Sequence, residues 1–90
     1  MVDASPTDPQ ALALIALAAA VSDERRAKRF LDLTGIGTDE LRARASEPVL
    51  LAALIRFLEA HEPDLLAIAE AMDVKPQALV AARQQLEEWE

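Results

Sequence analysis

The chain has no cysteine and no tyrosine, one histidine and two glycines. Without cysteine there is no disulfide framework, no thiol catalysis and no cysteine-based zinc site. A lone histidine, His61, removes most catalytic pairings and most metal-ligand sets. It stands at the end of a predicted helix beside Glu62-Pro63, where a helix C-terminus favours an imidazolium. Glu59, Glu62 and Asp64 surround it and read as surface charge. Two glycines cannot form a glycine-rich phosphate cradle, and no HExxH, EF-hand or P-loop spacing occurs. Ser5, Ser22 and Ser46 fall in tails or at helix caps with no base in reach. The sequence therefore predicts no catalytic residue, no cofactor, no metal and no enzyme.

Long apolar runs are missing too. The longest, Ala11 to Val21, makes a helix of about 16 Å, roughly half a bilayer core. The residues before it carry Asp3 and Asp8 and no cation, unlike a secretory signal. The expectation is a cytoplasmic protein with no membrane partner, and the absence of cysteine fits a reducing compartment.

What the chain does have is aliphatic and acidic. Ninety residues, 52% of them hydrophobic, suit one small core and exclude a disordered acidic tail. Residues 1–8 read as a disordered tail and 9–90 as one helical domain. Asp8-Pro9 starts a first helix, Pro9 to Val21, that is apolar all round and belongs in the middle of a bundle. Ser22 or Asp23 caps a second, which ends at Leu33-Thr34-Gly35 with Phe30, Leu33 and Ile36 inward. Thr38 caps a short third helix, with Asp39 and Glu40 at its positive end. Ser46 caps a fourth, about Glu47 to Ala60, where Leu51, Leu54, Ile55 and Leu58 form the stripe of an amphipathic helix, widened by Leu50 and Phe57. Pro63 opens a fifth with Leu65, Ile68, Ala69 and Met72 inward. Pro76 opens a sixth with Leu79, Ala82 and Leu86 inward. No stretch alternates with period two. The fold class is all-α, a compact bundle of five to six short helices.

A shift of 38 residues lays 11–46 on 49–84 without a gap. Glu24 meets Glu62, Phe30 meets Ile68, Ile36 meets Val74 and Leu41 meets Leu79. Identities are few, but apolar positions and helix starts coincide. This reads either as two similar three-helix units or as coincidence between helices of like length.

Ile68 to Leu79 has the outline of a helix-turn-helix, with Ala69, Val74 and Leu79 at the anchoring positions and Asp73 where glycine is usual. Phe30 to Arg44 repeats it with Gly35 at the turn. A DNA reader must neutralise phosphates. The sixth helix offers Gln77, Arg83, Gln84 and Gln85 and ends in Glu87, Glu88 and Glu90. Its charge argues against nucleic acid, and a helix-turn-helix regulator stands as the alternative reading.

The formal charge is −7, unevenly spread. Residues 1–45 hold six basic and seven acidic side chains, residues 46–90 three and nine. The cations gather in Arg25, Arg26, Lys28 and Arg29 and in Arg42 and Arg44. If the second and third helices meet at an angle, these share one edge. That edge reads as a docking patch for an acidic partner, or as a solvated face paired locally through Glu24–Lys28 and Glu40–Arg44. An acidic second half also suits the basic edge of another copy in a closed dimer. Trp89 reads as a lid over the core edge or as an interface anchor. The candidate partner-binding residues are Arg25, Arg26, Arg29, Arg42, Arg44 and Trp89, for a protein partner or self-association. The expected function is a non-enzymatic interaction or regulatory module.

The run Arg29-Phe30-Leu31-Asp32-Leu33-Thr34-Gly35-Ile36, then Leu41-Arg42-Ala43-Arg44-Ala45, then Pro48, Leu51-Ala52 and Phe57-Leu58, resembles a family of small alphaproteobacterial proteins, the domain of unknown function numbered 3572. The resemblance covers most of the chain after residue 8 and is sharpest in the Leu-Thr-Gly-Ile and Leu-Arg-Ala-Arg-Ala pieces. It implies a bacterial, cytoplasmic, single-domain protein with no assigned activity and a signalling partner. It brings no functional residues with it.

Overall fold

The computed structural model describes residues 8–88. Positions 1–7 of the expected disordered tail, and Trp89, lie outside the described residues. Six helices follow in order: α1 (Pro9–Val21), α2 (Glu24–Thr34), α3 (Thr38–Ala43), α4 (Pro48–Glu59), α5 (Glu62–Met72) and α6 (Pro76–Glu88). No strand occurs among the described residues.

Local chemistry explains the boundaries. The Asp8 carboxylate accepts a hydrogen bond from the Ala11 amide at 2.9 Å, and Pro9 occupies the first turn, where its missing N–H costs nothing. Asp23, rather than Ser22, caps α2 by accepting from the Arg25 and Arg26 amides. Gly35 ends α2 in the left-handed region at φ 77°, and Asp73 ends α5 the same way at φ 59°. Two expected caps differ. Gly37 is the N-cap of α3, with Thr38 its first residue, and Glu47 is the N-cap of α4. Neither gives a side-chain cap bond. Ser46 contributes its carbonyl instead, accepting from the Gln10 side-chain amide and tying the start of α1 to the turn before α4.

α1 packs against α2, α4, α5 and α6, and α4 against α6 is the largest helix–helix contact. The core is aliphatic: Leu51, Leu54, Ile55 and Leu58 of α4 meet Leu79 and Leu86 of α6, all fully buried. Each such leucine contributes roughly 1.5–3 kcal/mol. Small residues of α1, Ala13 and Ala16 at 0% exposure, let neighbouring backbones approach closely. Phe30 of α2 meets Phe57 of α4 edge-on at 5.3 Å.

Helices 24–34 and 62–72 differ by 38 positions, and so do the left-handed caps Gly35 and Asp73. Packing does not follow the same parallel. α4, α5 and α6 contact one another, whereas α1 faces α4 to α6, and α3 packs extensively on no other helix.

Two packing expectations are corrected. Leu33 is 73% exposed, because the covered side of α2 runs through Arg26, Ala27, Phe30 and Leu31 and Leu33 falls about a quarter turn off it, whereas Ile36, beyond Gly35, packs against the core. α1 is not enclosed all round: Leu14 and Ile15 are 41% and 46% exposed.

Candidate functional site

The basic edge resolves into separate arrangements. Arg26 donates to Asp64 of α5 at 3.1 Å, and Arg29 donates to the other oxygen of the same carboxylate. The Arg29 guanidinium also lies 5.2 Å from the Phe57 ring centre. Arg44 binds Glu47 at 2.8 Å and Glu40 at 3.2 Å. These bonds, first to Glu47 and then to Glu40, raise its pKa above the ordinary arginine value. Lys28 pairs with Asp32 rather than Glu24. Arg25 and Arg42 are exposed and form no ion pair among the described residues. Of the five arginines expected on one docking edge, three are bound internally.

Asp64 was legible only as surface charge. It is buried, 7% exposed, and joins α2 to the body. Burial alone pushes its carboxyl pKa up. The hydrogen bonds from Arg29 and Arg26, reinforced by their charges, outweigh burial and hold it below the usual aspartate range. His61 sits between the C-cap of α4 and the first residue of α5, exposed, with no side-chain cap bond.

The helix-turn-helix outline places α6 differently from a DNA reader. Leu79, Ala82 and Leu86 are buried. Arg83, its cation, binds Glu59 and Glu87 and is itself largely covered. Those bonds, that to Glu59 foremost, outweigh its burial and raise its pKa. Gln77, Gln84, Gln85 and Glu88 face outward.

The described residues also form an apolar groove of about 510 Å³ bounded by α1, α2 and α3. α1 supplies Leu14, Leu17, Ala18 and Val21, at the i, i+3, i+4, i+7 spacing of one helix face. α2 supplies Ala27 and Leu31. Around α3, Leu41 and Ala45 form the far wall, and Thr38 and Arg42 bring the polar groups. The sequence held the signal for this groove. A helix that is apolar all round has two faces to cover. The fold covers Leu12, Ala13, Ala16 and Ala20 but leaves Leu14 and Ala18 open.

A protein-family model described as "Protein of unknown function (DUF3572)" matches residues 6–88. The chain belongs to the DUF3572 family. Neither the curated proteins nor the solved structures gave a match. In this DUF3572 chain the Leu33-Thr34-Gly35-Ile36 and Leu41–Ala45 pieces build the α2–α3 turn and the α3 wall of the groove. The described residues hold no cluster of His, Cys, Asp and Glu able to take a metal ion. None of their helices is long and apolar enough to cross a membrane. No buried side-chain polar atom among them lacks a hydrogen-bond partner.

Proposed function

We propose that this DUF3572 protein is a non-enzymatic docking module of the bacterial cytoplasm, and that the α1–α2–α3 groove is the surface it presents to a protein partner. The observation that carries the reading is the second apolar face of α1. Its residues Leu14, Leu17, Ala18 and Val21 line a groove to which, among the described residues, Thr38 and Arg42 bring the polar side chains. Apolar grooves of this kind receive the apolar face of a helix, and a rim cation selects a carboxylate beside it. Two polar groups are too few to orient a substrate and carry out a reaction on it. The helix-turn-helix alternative has less support, since the outward polar residues of α6 are glutamines and a glutamate rather than cations.

The test is affinity capture from the native lysate with the wild type and with Leu14→Glu as baits. Leu14 is already 41% exposed, so the substitution changes the groove and leaves the fold, checked by circular dichroism. Proteins held by the wild type and lost by Leu14→Glu support the reading, the endogenous chain itself included. Identical sets of retained proteins refute it.

A further inference from the structure

A groove with an apolar floor and a cation at its rim calls for a helix that shows an apolar side chain between carboxylates. α5 of this same chain is such a helix. Glu62, Leu66, Glu70 and Asp73 are exposed and fall on one stripe, at i, i+4, i+8 and i+11. Leu66 is 49% exposed, the one large apolar side chain that α5 leaves in solvent. The three carboxylates flanking it form no ion pair among the described residues. Arg42 at the groove has none either, whereas its neighbour Arg44 is held by Glu40 and Glu47. The two surfaces are complementary in hydrophobicity and in charge.

The stripe is left uncovered by α2: Asp64, the residue of α5 that Arg26 and Arg29 hold, lies on the other flank of the helix. A two-fold axis that lets each copy give its α5 to the other's groove forms both contacts at once and closes the assembly. An isolated groove–helix contact would instead build an open chain.

We propose that the groove of one molecule takes α5 of a second copy, with Leu66 on the apolar floor and Glu70 opposite Arg42, in a closed homodimer. This rests on the reading of the groove as a protein-docking surface. The experiment is sedimentation equilibrium of the full chain at physiological salt for the wild type, Arg42→Glu, Glu70→Arg, and an equal mixture of the two variants. Both positions are exposed, so folding is retained. The wild type should reach twice the monomer mass with rising concentration. Each variant alone should dimerise about tenfold more weakly, a rim-charge loss. The mixture should recover wild-type association, because one contact is then native and the other is charge-reversed on both sides. A wild type that stays monomeric, variants that dimerise normally, or a mixture no better than its components would each overturn the proposal. A monomeric wild type whose captured partners are still lost on Leu14→Glu would refute the homodimer and leave the docking function standing.

Discussion

Asp64 and Arg26, 38 residues apart, form the ion pair that fastens α2 to α5, at 3.1 Å with 10% and 15% of their side-chain surfaces exposed. Arg29 completes the clamp from one turn further along α2. Unlike the exposed Lys28–Asp32 pair, this one cannot lose a partner cheaply. Asp64→Ala leaves the Arg26 guanidinium covered and unpaired, although Arg29, nearly half exposed, can turn to water. A loss of about 2–3 kcal/mol is expected in urea denaturation. Asp32→Ala breaks the exposed Lys28–Asp32 pair and should cost no more than about 0.5 kcal/mol. Equal losses from the two variants would show that the clamp is no stronger than a surface pair.

The same clamp sets a pH dependence. Its arginines hold the Asp64 pKa in the folded protein below the unfolded value of about 3.9. The folded state therefore binds fewer protons at this site than the unfolded chain does. The resulting stability is fully present above the unfolded pKa and disappears as pH falls through the folded one. Asp64→Asn, close in shape and unable to ionise, should be less stable than the wild type by a constant amount from neutral pH to about pH 5, and by a shrinking amount below about pH 4. Urea midpoints measured stepwise in pH check this. A gap that closes near pH 6, or persists unchanged into strong acid, would mean that Asp64 is not the titrating group.

Gly35 and Asp73 hold equivalent left-handed caps with opposite consequences for mutation. Gly35, at φ 77°, has nothing within 4 Å of where a Cβ would stand. Gly35→Ala therefore meets only the backbone cost of a left-handed residue, about 1 kcal/mol of destabilisation. Asp73 already bears that cost at φ 59°, lessened by its short polar side chain. Asp73→Gly should raise stability by about 0.5 kcal/mol. Thermal midpoints moving in opposite directions confirm the pair, and a shift in the same direction contradicts it.

Much of this architecture was legible in the chain because helix signals are local. Asp8-Pro9 and Gly35 mark boundaries by chemistry within a few residues, and the apolar spacing of α4 and α6 places their buried faces without tertiary information. What failed was non-local. Nothing near Asp64 shows that two arginines of α2 converge on it, so it read as one of three surface carboxylates. Leu33 lies three residues after Phe30, but α2 is covered on the side of Ala27 and Leu31, and only the packing shows which side of Phe30 that is. The groove lay between these cases. The all-apolar character of α1 announced a second covered face, and only the packing showed which residues were left open. The basic edge had two readings for the same reason: residues alike in sequence, such as Arg42 and Arg44, differ in whether a carboxylate lies within reach.

Two of the three helices that frame the groove, α2 and α3, are also those least tied to the body, and this bears on how a partner enters. α4 and α6 share the largest contact and the fully buried leucines, whereas α2 rests on α1, Phe30 and the Asp64 clamp, and α3 has Leu41 as its one buried side chain. Local opening free energy follows buried contact. Amide hydrogen exchange should therefore be fastest in α3, intermediate in α2, and slowest in α4 and α6. Asp64→Asn sharpens the test. Removing the clamp should lower protection in α2 and α3 while that of α6 changes little under conditions where local opening dominates exchange. Such a result makes α2–α3 a movable wall that opens the groove at modest cost. If protection instead falls uniformly, the six helices unfold as one unit, the wall is rigid, and a partner must fit the groove as it stands.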